Sequence, residues 1–307
     1  MSGEGWVQIN DVGPRDGLQN QAAHLSVEQR VELICGLIEA GVSSIEVGSF
    51  VSPKAVPAMA GCADILSSLP VSNDVDYQVL IPNLKGYQLA RDAGAKSVMM
   101  VVCATETMNQ KNVGLSVEQS LTAAAEIVRQ AQQDGIKVLA CAAVAWECPF
   151  EGKTPESNVF QLTDRLSAMG VDELIIADTI GAANPDSVHE LMSHLIEREG
   201  SERLTCHFHD TRAMGMANVY AALMAGIRKF DASVGGLGGC PFAPGATGNV
   251  ATEDVVMMLH QMGYRTGIDL ARLMTVGKEA GAMLNIETGG RADRWRCLEL
   301  EKGRTLC

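Results

Sequence analysis

Residues 26–49, SVEQRVELICGLIEAGVSSIEVGS, carry one complete passage from helix to strand. Ser26 suits a helix N-cap, residues 27–40 are amphipathic, and Gly41 suits the left-handed residue that closes a helix. Residues 44–49 then read as a strand, an apolar run with Glu46 set inside it. The passage recurs along the chain. Strand-like runs fall at 7–12, 44–49, 76–81, 97–104, 137–145, 173–177, 205–209 and 230–234. Helix-like stretches such as 117–133, 158–169 and 187–199 lie between them, and Gly94, Gly135, Gly170 and Gly226 stand where helices would close. Ser116 and Thr154 are further cap candidates. Eight strand–helix units of roughly 30–35 residues predict an α/β fold, a (β/α)8 TIM barrel of about 250 residues. The other arrangement is an open doubly wound sheet. No Gly-x-Gly-x-x-Gly follows the first strand, so its dinucleotide-binding version lacks support. Residues 267–286 and a basic tail, 291–304, follow the eighth unit. They are expected as additional C-terminal helices, about 267–307, packed on a single catalytic domain that spans 1–307.

Composition narrows the classes of function. The chain has 307 residues, 47% hydrophobic and 20% charged, ample for a large core. A formal net charge of -13 argues against a nucleic-acid or membrane-surface partner, both of which want a basic face. An anion would need a local basic pocket or a helix N-terminus. The cysteines number nine, with no Cys-x-x-Cys pair, and fit neither a disulfide framework nor a zinc ribbon. Reduced thiols in a cytoplasmic protein are the expectation, with Cys103, Cys141 and Cys206 as small apolar residues inside strands. No signal or transit segment is visible, and no apolar run reaches the length of a membrane span.

The barrel gives the polar residues a place. Catalytic groups lie at the C-terminal ends of barrel strands and in the loops that follow. His207 and His209 end the seventh strand, and side chains two apart on a strand share a face. Two neutral imidazoles converging there are good ligands for a divalent ion. The turn after the first strand, 11–20, delivers Arg15 and Asp16 to the same rim, either as a plain Arg–Asp pair or with Asp16 as a hard oxygen ligand. The loop 235–249, rich in glycine and proline, reads as a shaped segment that lets backbone approach a ligand. Within it, Cys240 is the candidate reactive thiol, and Asn249 either caps the next helix or offers its amide oxygen to the metal. Glu46 interrupts an apolar strand and needs a partner, for which Arg15 is the obvious choice. Asp178, ending the sixth strand, either braces the barrel or touches the site.

Residues 11–20, Ile45-Glu46 with 49–53, 82–86, 148–153, His209-Asp210-Thr211 and 235–254 together resemble the 3-hydroxy-3-methylglutaryl-CoA lyase family over nearly the whole chain. The turn 13–20 and the Cys240 loop are the most specific parts. The resemblance implies Mg²⁺ or Mn²⁺ held by Asp16, His207, His209 and Asn249, Arg15 at the thioester carbonyl, Cys240 in proton transfer and Glu46 in the same polar cluster. It implies an acyl-CoA substrate, 3-hydroxy-3-methylglutaryl-CoA, cleaved to acetoacetate and acetyl-CoA in leucine breakdown, by a homodimer or higher homo-oligomer. Two alternatives stand beside it. One applies the same chemistry to citramalyl-CoA or a longer branched 3-hydroxyglutaryl-CoA. The other is a condensing enzyme like isopropylmalate or homocitrate synthase, for whose usual C-terminal domain little chain remains. The departures from the family pattern are Gln21-Ala22, Trp146-Glu147 and Arg212-Ala213-Met214-Gly215-Met216. They bear on the acyl group: Trp146 as a bulky wall of the pocket, Arg212 as a partner for an acyl carboxylate or a coenzyme A phosphate. Rim packing is the plainer role for both.

Overall fold

The computed structural model of the chain describes residues 5–239, 248–288 and 290–302. All eight expected strands are present: β1 Gln8–Asp11, β2 Ser44–Ser49, β3 Asp76–Leu80, β4 Ser97–Cys103, β5 Lys137–Ala143, β6 Glu173–Asp178, β7 Leu204–Phe208 and β8 Lys229–Ala232. They pair in sequence order and all in parallel. β8 pairs back onto β1, Gln8 with Lys229 through Asp11 with Ala232, so the sheet closes into the expected barrel. Helices α1 Val27–Glu39, α2 Cys62–Ser68, α3 Leu84–Asp92, α4 Glu106–Val113, α5 Val117–Asp134, α6 Glu156–Met169, α7 Pro185–Glu199, α8 Gly215–Ala225 and α9 Thr252–Gln261 surround it. Two more helices follow, α10 Leu270–Leu284, which packs on α1, and α11 Arg291–Glu301, which packs on α9. Among the described residues no helix is long and apolar enough to cross a membrane.

The passage from α1 to β2 shows why the pattern folds this way. The Ser26 hydroxyl accepts from the Gln29 N–H while the Gln29 side chain accepts from the Ser26 N–H, a capping box that satisfies two otherwise orphaned donors. Leu33, Ile34 and Leu37 recur at helical spacing and are fully buried against the barrel. Each contributes about 2 kcal/mol by leaving water. Gly41 then takes φ +90° with its Cα pressed on the carbonyl of Gly267; a Cβ there would lie 2.3 Å from that oxygen. Ser116 caps α5 in the same way as Ser26. Thr154 does not cap α6, whose N-cap is Pro155; the Thr154 hydroxyl donates instead to the Val144 carbonyl at 2.7 Å.

Alternation along the strands makes two apolar layers. One face packs under the helices, as with Val98, Met100 and Val102 on β4, and the other fills the barrel, as with Met99 and Cys103. Cys103, Cys141 and Cys206 are buried within strands, as expected. Across the N-terminal end of the barrel runs a polar layer. Lys137 bridges Asp76 and Glu173, and Lys229 also pairs with Glu173.

Candidate active site

The turn after β1 is a single π-helical turn, Gly13–Gly17, begun by Pro14. Such turns interrupt regular geometry and recur at functional sites. Its two glycines let it lie flat on the end of β8. A Cβ on Gly13 would sit 2.7 Å from Asp11 Oδ1, and one on Gly17 would sit 2.8 Å from Ser233 Oγ. Asp11 holds the turn from beneath, accepting from the Gly13 N–H at 2.9 Å and the Thr252 hydroxyl at 2.6 Å. Arg15 and Asp16 are thereby delivered to the barrel mouth.

There the predicted residues meet. Arg15 Nη1 donates to Asp16 Oδ1 at 2.8 Å, and Arg15 Nη2 lies 2.7 Å from Glu46 Oε2. A bulge in β2 between Glu46 and Gly48 shifts the register where Glu46 projects. The ring nitrogens Nε2 of His207 and His209 are 3.1 Å apart. Asp16, His207 and His209 each bring a ligand atom to within 4.8 Å of the others. Asn249 joins them through Nδ2, which donates to Asp16 Oδ2 at 2.8 Å. It is held beside His209 by a short antiparallel bridge, with Asp210 N–H donating to Gly248 O and Val250 N–H to Phe208 O. Asn249 is not the cap of α9; that position is Ala251.

Charge and burial explain the protonation of the cluster. Burial alone would raise the Asp16 pKa, but Arg15, His207 and His209 outweigh it and bring it down to about 2. Burial pushes Glu46 up to about 7 in spite of Arg15. Burial would lower Arg15, yet its two carboxylate neighbours raise it well above its ordinary value, so the guanidinium stays charged. Burial also lowers His209, and with the His207 charge beside it the pKa falls to about 4. His207 is raised: the hydrogen bond and charge of Asp231, with Asp16, exceed the cost of its burial. Three buried polar atoms of the cluster, Arg15 Nε, Glu46 Oε1 and His209 Nδ1, have no partner among the described residues. Buried polar groups are rarely left so, and this concentration marks a place for a ligand or ion.

Asp231 is the functional residue that sequence reasoning missed. On β8, its Oδ2 lies 3.0 Å from His207 Nδ1 and its Oδ1 accepts from Asn10 Nδ2 at 2.8 Å. The signal was the one that picked out Glu46, a carboxylate inside an apolar strand.

Three residues weighed for contact with the substrate take the other role considered for them, packing at the rim or bracing the barrel. Trp146 does not wall the cavity. Val144, just past β5, takes φ +53°, a strained conformation for a β-branched residue, fixed by its N–H on Thr179 Oγ1 and its carbonyl on Thr154. Strand alternation ends there. Trp146 turns outward onto Phe208, ring centres 5.7 Å apart, and donates to the Ser187 carbonyl. Asp178 is committed to backbone: its two oxygens accept from the N–H groups of Ala182 and Ala183. Arg212, about half exposed, pairs with Glu147 Oε1 at 3.0 Å, so two of the departures from the family pattern hold each other at the rim. Cys240 lies outside the described residues.

Residues 6–279 match the family model described as HMGL-like. The chain belongs to the HMGL-like family. This HMGL-like chain is 42% identical over 286 residues, 93% of its length and 95% of the relative's, to hydroxymethylglutaryl-CoA lyase of Pseudomonas mevalonii. It is 40% identical, over the same shares, to 3-hydroxy-3-isohexenylglutaryl-CoA/hydroxymethylglutaryl-CoA lyase of Pseudomonas aeruginosa. In structure it superposes with TM-score 0.92 and 38% identity on an HMG-CoA lyase of Acinetobacter baumannii in complex with coenzyme A and 3-methylmalate, covering 99% of this chain and 98% of that one.

Proposed function

We propose that this chain is a divalent-metal-dependent carbon–carbon lyase that splits 3-hydroxy-3-methylglutaryl-CoA into acetoacetate and acetyl-CoA. The observation that carries the reading is the convergence of one carboxylate and two imidazoles beside the buried Arg15 guanidinium. The names of its relatives, hydroxymethylglutaryl-CoA lyases of similar length, support it. The cytoplasmic setting, homo-oligomeric assembly and part in leucine breakdown belong to the same reading.

Asp16, His207 and His209, with Asn249 Oδ1, would hold Mg²⁺ or Mn²⁺. The donors fit such an ion. Two Nε2 atoms face one another at 3.1 Å, a contact that two lone pairs tolerate only with a proton or cation between them. A mixed nitrogen and oxygen set suits an open, hard-ion site better than a closed structural zinc site. A bound ion supplies Lewis acidity toward the 3-hydroxyl and fixes its orientation.

The chain's own groups do the rest. Loss of the hydroxyl proton sends the C2–C3 bonding pair into the thioester, which leaves as an enolate. Arg15 is suited to stabilise charge on the thioester oxygen, because it is buried and permanently charged, and its Nε has no partner among the described residues. Asp16 and Glu46 hold its two terminal nitrogens and so fix its orientation. Cys240 is assigned the return of a proton to the enolate carbon. The hydroxyl proton is taken by Asp16, Cys240 or a water.

Purified protein with Mg²⁺ or Mn²⁺ should release acetoacetate from 3-hydroxy-3-methylglutaryl-CoA. Cleavage of citramalyl-CoA alone would move the reading to another acyl group, and cleavage of no 3-hydroxyacyl thioester would sink it. Cys240→Ala should keep its metal, measured by elemental analysis, while turnover collapses. A fully active variant would remove the thiol from the mechanism.

A further inference from the structure

Inside the barrel a chain of polar side chains leads away from His207. Asp231, which holds the His207 ring, accepts from Asn10 Nδ2 at 2.8 Å. Asn10 Oδ1 accepts from the Ser44 hydroxyl at 3.0 Å, and Ser44 Oγ accepts from Gln78 Nε2 at 3.0 Å. Gln78 Nε2 also donates to Asp76 Oδ2 at 3.2 Å, and Asp76 accepts from Ser97 and Lys137 as well. The chain thus steps from β8 through β1 and β2 to β3. Ile9, Ile45 and Val79 pack under the helices, so alternation turns Asn10, Ser44 and Gln78 to the barrel interior. All three are buried.

The far end fixes the direction of the chain. A carboxylate offers Gln78 only acceptors, so the amide nitrogen faces Asp76 and Ser44. Ser44 has one hydroxyl proton, and it goes to Asn10. Asn10 then turns its own nitrogen to Asp231. Every donor points toward Asp231, an arrangement in which successive bonds polarise and strengthen one another. Stability alone does not call for it. Buried polar side chains cost desolvation, and replacing both partners of such a bond by apolar groups is close to neutral. Elsewhere the barrel interior is filled by Met99, Cys103, Leu139 and Ile175. We propose that Asn10, Ser44 and Gln78 are positioning residues. They lock the Asp231 carboxylate, which keeps a proton on His207 Nδ1 and leaves Nε2 aimed at a divalent cation. The inference rests on the metal reading above and deepens it. Glu173 lies beyond the chain, because Asp76 keeps Ser97 and Lys137 without it.

The test is isothermal titration of Mn²⁺ into the metal-free protein, with melting temperatures alongside. Asn10→Leu should weaken binding about tenfold, and Ser44→Ala and Gln78→Met about threefold. Ser44→Thr restores the hydroxyl and should bind within roughly twofold of the wild type. The second readout is the His207 Nδ1 proton in 1H–15N spectra of the metal-free protein, assigned by its loss in His207→Gln. It should give a sharp line in the wild type and in Ser44→Thr, and a line broadened by exchange in the three broken-chain variants. Wild-type affinity and an unchanged line in those variants would overturn the proposal. A drop in melting temperature alone would overturn it too, since a merely structural role gives that result. Should Asn10→Leu not fold, Ser44→Ala with its threonine rescue decides the matter. Wild-type protein that binds no Mn²⁺ would sink the metal reading, and the Nδ1 line would then judge the positioning by itself.

Discussion

Asp231 serves two neighbours, His207 through one oxygen and Asn10 through the other. A carboxylate on Nδ1 fixes the tautomer of the ring and leaves Nε2 as the lone-pair donor, the arrangement that metal-bound histidines generally have. Asp231→Asn should therefore weaken Mn²⁺ binding about 10- to 100-fold, measured by isothermal titration, with a melting temperature near that of the wild type. Unchanged affinity would make Asp231 a structural residue only. The convergence of His207 and His209 was legible because alternation on a strand is a geometric rule: the two had to share a face. Asp231 obeyed the same rule, but its partners stand 24 and 221 residues away, and nothing local announced them. Trp146, weighed as a pocket wall or as rim packing, was left open for the opposite reason. One local rule was broken by one residue, Val144, whose left-handed backbone is imposed by two threonines from other segments.

Elements were easier to read than their ends. Helix closures at Gly135, Gly170 and Gly226 all have positive φ, because a terminal left-handed residue costs glycine nothing sterically. The start of α9 was harder. Asn249 has the chemistry of a cap yet serves the mouth, and the first turn carries instead Glu253, buried, with Oε2 accepting from the Gly235 N–H at 3.0 Å. Burial raises the Glu253 pKa to about 8, helped by Asp254 and Asp11. Between pH 4.5 and 8 the unfolded chain releases this proton and the folded chain keeps it, so folding loses stability as pH rises through that window. Below it both states are protonated and the penalty is absent. Glu253→Gln removes the titration while keeping an acceptor for Gly235. Its melting temperature should gain on the wild type from pH 5.5 to 8.5; a difference that stays flat with pH would refute the burial argument.

Across the whole molecule the two ends of the barrel divide the work. The C-terminal mouth gathers the reactive groups, and the N-terminal end is closed by the Lys137–Glu173–Lys229 layer, a division of labour expected of this fold. Burial alone would raise Glu173, but the two lysines outweigh it and lower its pKa. Its contribution is therefore present above the unfolded value of about 4.5 and is lost as pH falls through the folded one. Glu173→Gln should cost on the order of 2–3 kcal/mol at pH 7, less than a dry pair because Lys137 and Lys229 keep 35% and 25% exposure. The deficit should shrink below pH 4.5 in thermal melts, and metal affinity should not change. A loss of metal binding would show the two ends to be coupled. The closure that brings these ends into being also sets a timetable. Asp16 and Asn249 are 233 positions apart, and they meet only after β8 has paired with β1. A ribosome therefore releases Asp16 early and the two imidazoles late, and the growing polypeptide has no finished pocket for a cation until its last barrel strand has emerged. On the proposed reading, loading with metal would fall after synthesis of the ring, when the ion meets a completed barrel.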